Sequence, residues 1–295
     1  MPERDGYIPG VPCWVDSSHP DPEAAVAFYS SLFGWDCEDV MPPGAESKYF
    51  VARIRGGDVA AIGSTPAGAP STATWNTYIW ADSADTTASK VVGAGGAVLS
   101  EAFDVMDAGR MAVCADPDGA AFCVWQASQH RGARIVNEPG ALVLNGLRAR
   151  DKETARSFYG AVFGWQTLTI DAGEMWALPG YGDHLERSHP GLRRQMKQLG
   201  APDGFEDVVA SLQAIRENGQ AAPPHWVVTF ATDDADAIAR RASELGGNVV
   251  LAPFDAPWAR NTMIADPQGA TFIASKFVPE NKDVASPTET AVNST

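Results

Sequence analysis

The chain has 295 residues, 45% of them hydrophobic, and holds 37 Asp and Glu against 22 Lys and Arg, a formal net charge of −15. That length suits two domains of ordinary size, each expected to bury a core of its own. The acidic balance repels a phosphate backbone and so argues against nucleic acid as a partner. No apolar run approaches the ~18 residues of a membrane span.

The charge is uneven, with 6 Lys and Arg against 17 Asp and Glu in residues 1–130. The start, Met1-Pro2-Glu3-Arg4-Asp5, lacks the character of a signal peptide, and a cytoplasmic protein is expected. All four cysteines (Cys13, Cys37, Cys114, Cys123) lie in this first part without a C-x-x-C pair. Reduced thiols are expected; Cys114 and Cys123 flank one turn, so a bridge between them stays open.

In chain order, residues 10–17 read as a strand. Ala25, Phe28, Tyr29, Leu32 and Phe33 then recur at helical spacing. Asp21-Pro22 supplies a cap and a first-turn proline, and Gly34 a left-handed stop. Strands follow around 48–55 and 58–63, separated by Gly56-Gly57, and 66–70 is a linker. The pattern restarts with a strand at 76–81, a helix at 84–94, a Gly95-Gly96 stop and a strand at 97–99. A hairpin at 110–115 and 120–126 turns about Asp116-Pro117-Asp118-Gly119.

From Leu142 the same series returns. Ala27-Phe28-Tyr29-Ser30-Ser31-Leu32-Phe33-Gly34-Trp35 matches Ser157-Phe158-Tyr159-Gly160-Ala161-Val162-Phe163-Gly164-Trp165. Trp75 with Asp82 matches Trp226 with Asp233, Arg110 matches Arg260, and Asp116-Pro117-Asp118-Gly119 matches Asp266-Pro267-Gln268-Gly269. An ordered series of this kind marks an internal duplication. The expected division is a first domain at 1–130, a linker at 131–140, a second domain at 141–278 with an insertion near 180–205, and a Ser/Thr-rich disordered tail at 279–295. The insertion contains a short basic helix candidate at 191–199 and is either a decorated loop or a lid.

The helix ending Phe-Tyr…Phe-Gly-Trp, the Asp-Pro-Asp-Gly hairpin and the doubled module resemble the vicinal oxygen chelate superfamily. Glyoxalase I, bleomycin-resistance proteins, fosfomycin-resistance enzymes and extradiol dioxygenases belong to it, and tandem actinomycete members are the nearest in kind. The resemblance implies an α+β fold of two tandem domains, each of two βαβββ modules whose sheets curl around a cavity. In metal-using members an ion is held by His or Gln on the first strand of each module and by Glu on the last. Laid over this sequence, those positions fall on Trp14, Asn76 and Cys123, with only Val, Ala, Ile and Gly available in 59–63. In the second domain they fall on Leu144, Val227 and Ile273. A divalent ion needs three or four converging His, Asp, Glu or Cys donors, so no metal and no cofactor are expected.

Strand parity gives the first cavity Trp14, Asp16, Asn76, Tyr78, Trp80, Cys123 and Trp125. The second receives Leu144, Gly146, Val227, Thr229, Ile273 and Ser275, a plain lining, so the specific site is expected in the first domain. Each candidate also has an ordinary structural role. Asp16 is a turn residue or a general base, Arg110 an ion-pair partner of Asp104 or Asp107 or a clamp on an anion, and Cys123 a small buried residue. Asp183, His184, His225 and Arg260 are the second-domain candidates. The expected function is metal-independent binding of a small aromatic or planar molecule, as in natural-product sequestration or resistance, by a monomer or homodimer. The alternatives are a cofactor-free isomerase, cyclase or lyase using Asp16, Arg110 and Tyr78, and, third, a divalent-metal glyoxalase-like enzyme.

Overall fold

The structure, a computed structural model, describes residues 3–68, 71–170, 173–215 and 223–284. The first half comprises β1 (Pro12–His19), α1 (Pro22–Phe33), β2 (Asp36–Asp39), β3 (Tyr49–Ile54) and β4 (Gly57–Ser64), then β5 (Thr74–Trp80), α2 (Ala84–Gly93), β6 (Ala97–Val105), β7 (Gly109–Ala115) and β8 (Ala121–Ala127). These are two βαβββ modules. The second half repeats them as β9 (Leu142–Ala149), α3 (Lys152–Phe163), β10 (Gln166–Ile170), β11 (Gly173–Ala177) and β12 (Val208–Ala214), then β13 (His225–Ala231), α6 (Ala235–Glu244), β14 (Asn248–Ala256), β15 (Ala259–Ala265) and β16 (Thr271–Phe277). The insertion folds as α4 (Tyr181–Ser188) and α5 (Leu192–Leu199) between β11 and β12.

Each half forms one eight-stranded mixed sheet, in the order β2-β3-β4-β1-β5-β8-β7-β6 and its counterpart β10-β11-β12-β9-β13-β16-β15-β14. The modules meet at the antiparallel pairs β1–β5 and β9–β13. The outermost strands of each sheet do not pair with each other, so neither sheet closes into a barrel. The helices begin and end as their residues dictate. The Asp21 and Asp151 carboxylates cap α1 and α3, and Gly34 and Gly164 end them at φ of 72° and 76°.

The expectation that each half buries its own core does not hold: one cluster of buried side chains runs through both. The reason lies in the repeated motifs, which meet across the halves. Tyr29 on α1 sends its hydroxyl 3.0 Å to Asp266 in the second half's hairpin turn, while Tyr159 on α3 reaches Asp116 in the first at 3.2 Å. Phe33 packs on Phe230 and Phe272, and Phe163 on Phe122. Trp35 donates to the Gly140 carbonyl and Trp165 to that of Gly10, both at 2.8 Å. Within each half, Trp75 and Trp226 donate to the hydroxyls of Tyr29 and Tyr159. The recurring tryptophans are therefore packing residues.

Other details depart from the sequence reading. β6 extends to Val105 because it pairs along β7, through two register shifts. β2 alternates exposed and half-buried over Asp-Cys-Glu-Asp, a charged edge with no apolar signal. The four cysteines are free. Cys114 pairs with Phe122 while Cys123 pairs with Val113, so the two thiols sit on opposite faces of their hairpin and cannot meet. Pro279–Asp283, placed in the disordered tail, form a 3-10 turn fastened by Val278 N–H to the Trp258 carbonyl at 2.8 Å. The rest of the tail, 285–295, and the last two residues of the linker at 66–70 lie outside the described residues.

Candidate functional site

Residues paired directly across a sheet share a face, and the register Trp14↔Tyr78, Asp16↔Asn76, Tyr78↔Cys123 and Trp80↔Trp125 brings seven of the predicted residues onto one face of the first sheet. The carboxylate of Asp16 is its centre. One oxygen accepts from the Tyr78 hydroxyl at 2.6 Å and the Tyr49 hydroxyl at 3.0 Å, and the other from the Asn76 amide at 2.8 Å. Asp16 is 6% exposed, and burial pushes its carboxyl above the ordinary carboxylate range, against the three hydrogen bonds that favour its charge. Burial likewise pushes the Cys123 thiol up, with the Asp16 charge adding to it, which leaves Cys123 a small inert wall residue.

Two members of this face were not among the sequence candidates. Tyr49, on β3, bridges Trp14 Nε1 at 3.2 Å and Asp16, and its ring lies over Gly63, where a β-carbon would stand 3.1 Å away. Its place depends on a bulge in the β3–β4 pairing between Ala52 and Arg53, which shifts the register by one and which no residue pattern announced. His130 comes from the segment after β8. That segment turns back as Ser128 and His130 donate to the Ala108 carbonyl and Ala133 to that of Cys13. Its imidazole lies edge-on to Trp14 at 4.3 Å between ring centres and 5.8 Å from Trp125, whose Nε1 donates to the His130 carbonyl. The His130 Nε2 is buried without a hydrogen-bond partner in the protein. Burial pushes the ring below the ordinary imidazole range, Asp58 opposing weakly from 3.8 Å. Thus this face is rich in rings and polar atoms, and His130 packs over it against Trp14 and Trp125.

The remaining candidates lie elsewhere. Arg110 pairs with Gln126, on the opposite face from Trp125, where Asp85 of α2 and Asp104 of β6 hold it in a fork; it does not meet Asp16. Arg260 repeats this with Asp236 and Asp255. Asp183 pairs with Arg193 inside the insertion at 2.7 Å, His184 stacks on Tyr181, and His225 sits at the start of β13 with Nδ1 2.7 Å from the Pro223 carbonyl. They form no cluster with one another.

The corresponding face of the second sheet carries Leu144, Gly146, Val227, Thr229, Ile273 and Ser275, of which Leu144, Gly146, Ile273 and Ser275 keep partial exposure. At the positions that the family resemblance assigns to metal ligands stand Trp14, Asn76 and Cys123 in the first half, and Leu144, Val227 and Ile273 in the second. Among the described residues no three His, Cys, Asp or Glu gather in a metal-holding group. Also among them, no helix is long and apolar enough to cross a membrane.

Known proteins agree with this architecture. Residues 14–125 match a glyoxalase-like domain family, and residues 141–273 the glyoxalase/bleomycin resistance protein/dioxygenase superfamily. CFP32 of Mycobacterium tuberculosis, which carries a glyoxylase designation, is 39% identical over 290 residues, covering 95% of this chain and 100% of its own. The anthracycline biosynthesis protein DnrV of Streptomyces peucetius is 37% identical over 286 residues, covering 90% and 93%. Among solved structures, the Mn(II)-bound glyoxalase of Novosphingobium aromaticivorans superposes with a TM-score of 0.56 at 16% identity over 91% of this chain and 83% of that one. The 2,3-dioxygenase LapB of Pseudomonas sp. KL28 gives 0.56 at 13% identity over 92% and 93%. At such identities the structures speak for the fold alone; with the two matched domains and the full-length relatives, the chain belongs to the glyoxalase/bleomycin resistance/dioxygenase superfamily.

Proposed function

We propose that this protein binds a small planar aromatic molecule against the aromatic face of its first sheet, around Asp16, with no metal ion held by the chain, in the manner of natural-product sequestration. The observation that carries the reading is the Asp16 carboxylate, set among Trp14, Tyr49, Tyr78 and Trp125. Rings stack on planar ligands while a few convergent polar atoms fix their orientation. The unpartnered His130 Nε2 supplies one more polar atom on the same face. The relatives in anthracycline biosynthesis support the ligand class, since an anthracycline is built on planar fused rings.

The test is a titration with 1,4-dihydroxyanthraquinone followed by tryptophan fluorescence. Trp14→Ala should weaken binding by on the order of 1–3 kcal/mol, and Leu144→Ala should leave it unchanged. Equal affinities in the wild type, Trp14→Ala and Asp16→Asn would dismiss the site.

A second reading draws on the 2.6 Å Tyr78–Asp16 contact and the raised Asp16 carboxyl. A buried carboxylate with an elevated pKa suits general-base work, with Tyr78 polarising a carbonyl, in an isomerase, cyclase or lyase. Turnover of the bound molecule, lost in Asp16→Asn while affinity is retained, would favour it. Arg110 has no part in either reading.

A further inference from the structure

A cavity of about 180 Å³ lies on the second half, between the N-terminal segment and the insertion. Leu144 and Val209 form its floor, Leu185 and Met196 of α4 and α5 its cover, and Arg4 with Tyr181 one wall. The Arg4 guanidinium is half-buried between two rings, 5.0 Å from the centre of Tyr7 and 5.9 Å from that of Tyr181, and donates 2.5 Å to the Tyr181 hydroxyl. Among the described residues no carboxylate forms an ion pair with it. Glu206, the acidic side chain in the lining, is engaged by Arg193. Two histidines of the insertion stand nearby: His184 stacks on Tyr181, and the His189 Nε2 is buried without a partner. A guanidinium has five N–H donors in a planar fork suited to a carboxylate. Among the described residues the one side-chain hydrogen bond of Arg4 goes to Tyr181, so the remaining donors at the edge of this mostly apolar cavity are open to an anion.

We propose that this cavity is a binding site for a small aromatic carboxylate, its ring held by Leu144, Val209 and Met196 and its carboxylate by Arg4. The volume sets the size. An apolar cavity of about 150 Å³ admits one benzene ring, and drug-sized ligands need about 300–1,000 Å³. A single-ring acid fits, and a fused polycycle does not. The site is separate from the face around Asp16, and the insertion acts as its cover.

The experiment uses the full chain, with benzoate and its neutral isostere benzamide as probes in calorimetric titration. Benzoate should bind about tenfold or more tightly than benzamide, and Arg4→Gln should remove that preference while leaving the benzamide affinity as it was. Met196→Trp, which fills the cavity from its cover, should abolish binding of both. The proposal is overturned by equal affinities for the two probes, by a preference for benzoate that survives Arg4→Gln, by binding that survives Met196→Trp, or by no benzoate binding at millimolar concentration. Should Arg4→Gln not fold, the wild-type preference and the Met196→Trp result decide.

Discussion

Asp266→Asn and Asp116→Asn are the same substitution at repeat-related turns, yet they should cost different amounts. Both carboxylates bind their own turn with one oxygen: Asp266 accepts from the N–H groups of Gln268 and Ala270, Asp116 from those of Asp118 and Ala120. With the other oxygen Asp266 accepts from Tyr29 at 3.0 Å and from His19 Nε2 at 2.6 Å, whereas Asp116 accepts from Tyr159 alone. Ala149 occupies the repeat position of His19. Burial works against both charges. At Asp266 the His19 bond and the turn N–H groups prevail and hold the carboxyl below its ordinary range, while at Asp116 burial prevails and raises it. An amide keeps the acceptor for the turn at either place. At position 266 it gives up a charge-assisted bond to a fully buried imidazole, about 1.5–3 kcal/mol; at 116 it gives up a neutral hydroxyl's bond and relieves an unfavourable charge, a net cost of about 1 kcal/mol or less. Urea unfolding at pH 7, followed by tryptophan fluorescence, should put the two variants roughly 2 kcal/mol apart. Costs within about 0.5 kcal/mol of each other, or a larger cost at Asp116, would refute the claim that His19 sets the asymmetry between the halves.

Three further outcomes are expected. A fragment of residues 1–130 should not melt cooperatively as a monomer. It would expose Tyr29, Phe33, Trp35 and Trp75, together on the order of 10 kcal/mol of burial, comparable with a whole domain's stability; dispersed amide signals from a monomeric fragment would contradict this. The His130 ring titrates below its unfolded value, so the unfolded chain binds the extra proton first and stability falls as pH drops below about 6.5. Thermal melts from pH 7 to 5 should show the wild type losing ground to His130→Phe, and parallel profiles would count against a buried neutral imidazole. Protein purified without chelator should hold no stoichiometric Zn, Ni, Mn or Fe, because Trp14, Asn76 and Cys123 supply too few donors; one ion per chain by elemental analysis, lost together with ligand binding on chelation, would reverse that conclusion.

What the sequence determined by itself was whatever depends on local periodicity and on repetition. The helix ends at Gly34 and Gly164, the hairpins at Asp116 and Asp266 and the duplicated order of elements all follow from short-range backbone preferences. Side-chain alternation along β1, β5 and β8 was equally legible, and it set Trp14, Asp16, Asn76, Tyr78, Cys123 and Trp125 on one face. Only the tertiary structure decided where the repeats dock. A buried aromatic stripe on α1 looks the same whether it packs on its own sheet or on the other half's Phe230 and Phe272. Tyr49 needed a one-residue bulge to reach Asp16, and His130 needed a chain reversal after β8; neither leaves a periodic trace. Arg110 was legible in part: its ion pair with Asp104, six residues before it, is local, but its second partner, Asp85 on α2, is brought to it by packing on the far side of the sheet. Parity says which residues share a face, but the partner across space is chosen by packing, and that choice separated Arg110 from Asp16 and set Arg4 against Tyr181.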